Sequence, residues 1–352
     1  MTSFRAPGRV NLIGDHTDYN DGFVLPMAIE LACVVEVRTT GNGVVRLRSE
    51  DPAGDAELAA DGSEEPGSVR PAWARYAAGV LRALAERGRP PVGIDAVVSS
   101  TIPPGSGLSS SAAFEVAVAL ALSEAAGFTL APVELALACQ EAEQIATGVP
   151  CGIMDQLSSI AGRRGHALLI DCRALSVEPV RLPEELAVIV IHSGFSRELA
   201  DSAYAERRRS CEAVAARLGL AALRDATIDQ VADEPRARHV VSENARVLEA
   251  ARALEAGDVE TLGRLLSSSH ASLRDDYEVS TRELDALVAA LESSGALGAR
   301  LTGAGFGGCV VAVSRRADAA QIAAAAADRY RAETGIEPRT FICRAEDGAL
   351  VA

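Results

Sequence analysis

The sequence predicts an α+β fold, with mixed β-sheets flanked by helices. Three observations carry this. Apolar strand-like runs and helix-period runs both occur, and they are mixed rather than alternating strictly as βαβ units. Several helix-like runs end in glycine, at Gly127, Gly148, Gly219 and Gly257, as left-handed helix caps require. The chain has 352 residues, enough for two domains or one large one.

Strands are predicted at Ala32–Val37, Val44–Leu47, Ile94–Ser99, Ala167–Asp171, Leu186–His192 and Cys309–Val313. Helices are predicted at Ala72–Arg87, Ser110–Ala126, Pro132–Ala146, Arg197–Leu218, Ser242–Ala256, Thr261–Ser272, Thr281–Ser293 and Ala317–Thr334. The stretch Gly54–Pro71, rich in Gly, Ser, Pro and acids, reads as a surface loop. No tandem repeat of solenoid period is present.

Composition excludes several functions. Apolar residues make up 48% and charged residues 24%, a globular profile. No apolar run reaches the roughly 18 residues of a membrane span. The N-terminus runs directly into a motif without an apolar leader, so a cytoplasmic protein is expected. The net charge of −15 argues against nucleic acid as the main partner, since phosphate neutralisation needs a basic face. Seven cysteines, with no C-x-x-C pair, make a zinc site or a disulfide framework an unsuitable reading.

The chain has no lysine, so all 34 of its Lys and Arg residues are Arg. A Walker A loop, a protein-kinase strand lysine and Schiff-base chemistry are thereby excluded. Any nucleotide must be held by backbone amides, hydroxyls, Arg and a cation.

The segment Ala6–Ile29 brings Arg9, Asp15, His16 and Asp18 into one glycine-punctuated stretch. Such a stretch can surround a small polyol, because a carboxylate accepts from adjacent hydroxyls and Arg forks onto phosphate oxygens. It also fits a solvated turn with incidental ion pairs. His16 has no partner at metal-ligand spacing.

A second segment runs from Pro103 through Gly105, Ser106, Gly107, Leu108, Ser109, Ser110 and Ser111 to Ala113, between a strand-like run and a helix. Glycines admit a ligand close to the backbone, and the free amides of a helix N-terminus favour an anion. A plain helix cap would account for one serine. Three serines after Pro-Gly-Ser-Gly exceed that need, which points to phosphate.

Glu141 and Glu143 lie two apart on a helix, so they face different sides. Either could serve Mg²⁺, which prefers carboxylate and phosphate oxygens. Asp155 follows a Pro-Cys-Gly turn at the start of a helix-like run, where a negative side chain suits the dipole. Arg207, Arg208 and Arg209 read as a solvated face paired with acids. Gly303, Gly305 and Gly308 form a literal G-x-G-x-x-G, but a strand rather than a helix follows, so dinucleotide binding is rejected.

The wording of these segments resembles the galactokinase family of the GHMP kinase superfamily, in the family's order and across nearly the whole chain. The resemblance implies a GHMP-kinase-like two-lobed fold, with lobes at 1–178 and 179–352 and the active site in the cleft between them. It implies ATP-dependent phosphorylation of the anomeric hydroxyl of galactose, with ATP as co-substrate, Mg²⁺ as cofactor and a monomer as the working form. Asp155 would be the catalytic aspartate and Arg9 would stabilise the γ-phosphate. Asp15, His16, Asp18, Gly152 and Tyr204 would meet the sugar. Trp73 would lie near the adenine, and residues 105–111 would hold ATP. Ser110 and Glu143 would be the Mg²⁺ contacts. The family usually has Glu where this chain has Asp15, one methylene shorter on the side expected to touch the sugar's 6-hydroxyl.

Overall fold

The structure is a computed structural model describing residues 2–50, 53–103, 105–196 and 200–351. The strands are β1 (Thr2–Asn11), β2 (Phe23–Val24), β3 (Pro26–Thr39), β4 (Val44–Glu50), β5 (Ala53–Ala59), β6 (Ile94–Ser100), β7 (His166–Asp171), β8 (Ser176–Arg181), β9 (Leu186–Ser196), β10 (Gly298–Thr302), β11 (Gly307–Arg315), β12 (Arg339–Cys343) and β13 (Leu350–Val351). The helices are α1 (Ala74–Glu86), α2 (Ser110–Ala125), α3 (Pro132–Thr147), α4 (Met154–Ala161), α5 (Ala200–Leu218), α6 (Pro235–Ala256), α7 (Val259–Asp275), α8 (Arg282–Ser293) and α9 (Ala319–Thr334).

A six-stranded sheet runs in the order β13-β1-β3-β6-β4-β5. β3 shows the period of two that a half-buried strand needs: Val35 and Val37 are buried, while Glu36 and Arg38 are exposed. α2 lies across β1 and β3, with α1 and α3 on its other side. Its residues Ala112, Val116, Ala119 and Leu122 are all fully buried, and Glu115 is buried among them. A helix that is apolar almost all round belongs in this central layer. A second sheet, β10-β11-β9-β12, carries the other large core, where Ile189, Ile191 and Ala312 meet Leu284, Leu287 and Leu291 of α8. A small third sheet, β2-β7-β8, lies beside the first.

Every predicted strand and helix has a counterpart, although residues 197–199 of the helix predicted at Arg197–Leu218 lie outside the described residues. Seven strands among the described residues, β1, β2, β5, β8, β10, β12 and β13, were not predicted. β1 carries Arg9 and Asn11, which hide it from an apolar-run search, yet both are buried. β5 occupies the start of the stretch read as a loop. Ala56 and Leu58 alternate inward there against β4, and this alternation outweighs the acidic composition. β8 and β13 are short and polar, or terminal. The lobe boundary at 178 falls inside β8, which pairs with β7. The chain's end also returns to the first sheet, where β13 pairs with β1 through Arg5 and Leu350. Sheet pairing, which a sequence boundary cannot express, decides both.

Candidate active site

The site begins at an irregularity in β1. The register against β3 shifts between Pro7 and Arg9, which turns the strand toward the glycine loop. The Arg9 amide donates to the Leu108 carbonyl at 3.2 Å. The guanidinium, almost fully buried, donates to both Asp155 oxygens, Nε at 2.8 Å and Nη2 at 2.9 Å, and Nη1 donates to the Gly107 carbonyl at 2.7 Å. Asp155 stands in the first turn of α4, and the Ser109 hydroxyl donates to its Oδ2. One arginine thus ties the first motif, the glycine loop and the aspartate helix together, with the fork geometry that makes Arg the residue for this task.

The glycine loop ends at Ser109, whose backbone is left-handed (φ 59°, ψ 48°), and α2 starts at Ser110. Gly105, Gly107 and the three serines line the cleft. Ser106 and Leu108 are buried behind it, and the Leu108 amide donates to Ser106 Oγ at 3.4 Å, so these two shape the loop from within. Glu143 faces the cleft, whereas Glu141 pairs with Arg87 at 2.7 Å away from it. It is Ser111, rather than Ser110, whose hydroxyl donates to Glu143, at 2.7 Å. The Gln156 amide donates to Glu143 at 2.7 Å and to the buried Glu115 at 3.2 Å. Burial, and then the nearby Asp155, push the Glu143 carboxyl up. A hydroxyl and a carboxylate beside a phosphate loop are the oxygen donors a hard cation takes. Among the described residues no three His, Cys, Asp or Glu form a metal cage, and Mg²⁺ shared with nucleotide phosphates needs none.

On the opposite side, Asp18 packs against Gly152. A Cβ at Gly152 would stand 1.9 Å from Asp18 Oδ2, so only glycine lets the two approach. Burial first, then Asp155, raise the Asp18 carboxyl to about 7; the Tyr19 amide and Arg9 pull the other way. Asp15 is only 2% exposed, and its oxygens are taken by Arg300 and by the Gly303 amide at 3.1 Å. Arg300 is fully buried and also donates to the Asn11 and Leu12 carbonyls at 3.3 and 3.1 Å. Nothing in the sequence singled it out; a buried Arg opposite a buried Asp is visible only once β10 lies beside the first motif.

His16 lines the cleft, but both ring nitrogens have partners. Nε2 lies 3.2 Å from the Ala304 carbonyl, which can only accept, so Nε2 carries the proton. Nδ1 then accepts from the Tyr19 hydroxyl at 2.8 Å, and Tyr19 accepts from Tyr277 at 2.7 Å. Burial lowers the His16 pKa to about 3, so the ring is neutral. It presents an edge or a face to the cleft, and no free nitrogen. Tyr204 also lines the cleft, edge-on to Tyr19 with ring centroids 5.3 Å apart.

Trp73 stands outside the cleft lining and packs edge-on against Phe114 at 5.8 Å. Tyr76, one turn further along α1, lines the cleft instead. The arginine run departs from expectation in part: Arg207 pairs with Glu206 and Arg208 with Glu212, as expected, but the face is not fully solvated. Only Arg209 is exposed, while Arg207 and Arg208 turn inward. The cleft encloses about 470 Å³ and gathers Arg9, Asp18, Glu143, Asp155, the glycine loop and the Thr302–Gly308 turn.

The family described as the galactokinase galactose-binding signature matches residues 2–39. The GHMP kinases N terminal domain matches residues 75–163, and the GHMP kinases C terminal domain residues 250–332. A galactokinase from Roseiflexus sp. (strain RS-1) is 47% identical over 359 residues, taking in 98% of this chain and 91% of that protein. The chain belongs to the galactokinase family. The crystal structure of Lactococcus lactis galactokinase complexed with galactose superposes with a TM-score of 0.93 at 32% identity, over 100% of this chain and 95% of that one. A Methanococcus jannaschii mevalonate kinase shares the fold, with a TM-score of 0.70 at 21% identity over 98% of each chain. The two-lobed GHMP kinase architecture expected from the motifs is the one observed. In this galactokinase-family chain the signature region spans β1, the Asp15–Asp18 turn, β2 and β3, and contributes Arg9, Asp15, His16 and Asp18 to the cleft lining.

Proposed function

We propose that this chain transfers the γ-phosphate of ATP to the anomeric hydroxyl of α-D-galactose, giving galactose 1-phosphate and ADP, the entry step of galactose catabolism. The observation that carries the reading is the Arg9–Asp155 pair, held where the glycine loop meets the Asp18–Gly152 pocket. The lobes 1–178 and 179–352 would supply the two walls.

The phosphates of ATP would lie on the amides of the glycine loop and the N-terminus of α2, where the dipole favours negative charge. Asp18 would accept from two neighbouring sugar hydroxyls, with Tyr204 and the His16 ring closing the wall. Asp155 would orient the anomeric hydroxyl and take its proton as the phosphoryl group arrives. Phosphoryl transfer is loose, so positioning and late proton removal suffice. Arg9 would stabilise charge on the transferring group while holding Asp155 in place, an electrostatic contribution. Glu143 and Ser110 would hold Mg²⁺, which when bound neutralises charge on the phosphate oxygens.

The test is Mg²⁺-dependent ADP release with galactose, N-acetylgalactosamine, glucose, arabinose and mevalonate offered separately. Release with galactose above all others supports the reading. Release with another acceptor keeps the kinase and moves the substrate. Galactose binding without any release overturns the kinase and makes the protein a sugar sensor.

A further inference from the structure

Arg207 and Arg208 follow one another on α5, so their side chains leave the helix about 100° apart. Arg207, 11% exposed, donates Nε to the Tyr277 carbonyl and Nη2 to the Glu278 carbonyl, both at 2.8 Å. These contacts fasten α5 to the segment before α8. Arg208 leaves the other way. Its Nε donates to Glu212, one turn on, at 2.8 Å, which fixes the plane of the guanidinium. Its Nη1 then donates to the Pro150 carbonyl at 2.8 Å, and its carbon lies 5.8 Å from the centre of the Tyr19 ring.

Pro150 sits in the connection between α3 and α4. The Cys151 amide donates to the Val149 carbonyl at 2.9 Å, so the chain turns tightly at Pro150. The next carbonyl, of Cys151, accepts from Gln140 at 3.1 Å and Gln144 at 3.0 Å, both on α3. Two successive carbonyls are thus held from opposite sides, one by α3 and one by Arg208. The residue after them is Gly152, whose position against Asp18 has no slack.

We propose that Arg208 is a positioning residue for the sugar pocket: anchored through its neighbour Arg207, it clamps the Pro150 carbonyl and the Tyr19 ring, and so sets the distance between Gly152 and Asp18. The inference rests on the galactose reading of that pocket. A purely surface ion pair would use Glu212 alone and contribute little. Here the same guanidinium also satisfies a main-chain carbonyl in a different lobe and covers an aromatic ring of the first motif.

The test is calorimetric titration of galactose into nucleotide-free full-length wild type, Arg208→Ala and Arg208→Lys, with thermal melts of the sugar-free proteins alongside. Arg208→Ala is expected to weaken galactose binding about tenfold, the size of a lost charge-assisted hydrogen bond, with the melting temperature little changed. KM for galactose should rise in step while KM for ATP holds. Arg208→Lys should recover part of the loss, since an ammonium can still donate to the Pro150 carbonyl. Galactose affinity within twofold of wild type in Arg208→Ala overturns the proposal. So does an equal loss in both variants accompanied by a lowered melting temperature, which marks general destabilisation. If Arg208→Ala does not fold, Arg208→Gln and Arg208→Lys carry the same comparison. If wild type binds no galactose, the acceptor assignment fails, and the titration is made with whichever acceptor releases ADP.

Discussion

Arg9 and Asp155 stand 146 positions apart in the chain and meet through two hydrogen bonds, at 2.8 and 2.9 Å. The pair joins the glycine loop, whose Gly107 carbonyl also accepts from Arg9, to the part of the cleft lined by Asp18 and Gly152. Asp155→Asn keeps the size of the side chain and one acceptor for Arg9, but removes the carboxylate proposed to take the anomeric proton. Turnover should fall about 10²–10⁴-fold, while galactose still binds. Steady-state kinetics beside sugar calorimetry check this; near-normal turnover would remove Asp155 from the mechanism.

Gly152→Ala places a methyl group 1.9 Å from Asp18 Oδ2, so the carboxylate must leave its position. KM for galactose should rise at least about tenfold, as expected for a displaced charged hydrogen-bonding group, with KM for ATP nearly unchanged. Comparing the two KM values checks the pocket assignment, because a general packing defect would move both.

The Asp18 carboxyl is raised from 3.8 to about 7 by burial and by Asp155. The folded state therefore holds this proton more tightly than the unfolded chain. Between about pH 4 and 7 the folded state binds more protons, so the contribution of Asp18 to stability falls as pH rises and levels off above 7. The difference at high pH is on the order of 4 kcal/mol. Asp18→Asn should therefore raise the sugar-free melting temperature at pH 8, have little effect near pH 4, and lose galactose binding at both. In wild type, galactose affinity should rise as pH passes 7, since hydroxyl donors need the ionised carboxylate. Melting curves and titrations at the two pH values test the sign directly.

Arg300 and Asp15 form a buried ion pair, at 0% and 2% side-chain exposure. Arg300→Met would leave the Asp15 carboxylate without its cation and should cost about 3–5 kcal/mol, read from the denaturation midpoint. Asp15→Glu is a different probe. The longer chain must shift its carboxylate relative to Arg300 and the Gly303 amide, at the edge of the cleft. It should change KM for galactose more than kcat. If neither moves, Asp15 serves Arg300 alone.

Much of the site was readable because its chemistry is carried by local segments. The serine run after Pro103, the turn before Asp155 and the polar stretch from Arg9 to Asp18 each need their residue types at fixed short spacing. The strand expected after the glycine run 303–308 is observed as β11, buried and apolar over Cys309–Val313. Local signals misled where burial depends on distant partners. Arg207 and Arg208 carry the composition of a solvated face, but the Tyr277, Glu278 and Pro150 carbonyls draw them inward. Trp73 and Tyr76 are one helical turn apart; Trp73 packs on Phe114, and Tyr76 lines the cleft.

The sequence by itself determined the class of fold, the family and the groups that can do the chemistry, since helix period, glycine punctuation and motif wording are properties of short stretches of chain. The tertiary structure alone decided that Glu143 takes its hydroxyl partner from Ser111, that both nitrogens of His16 are occupied, and that Arg300 stands behind Asp15. Each is a pairing between segments far apart in the chain. Which partner a buried charge finds is set by how sheets and helices stack, and no short stretch of sequence contains that distance.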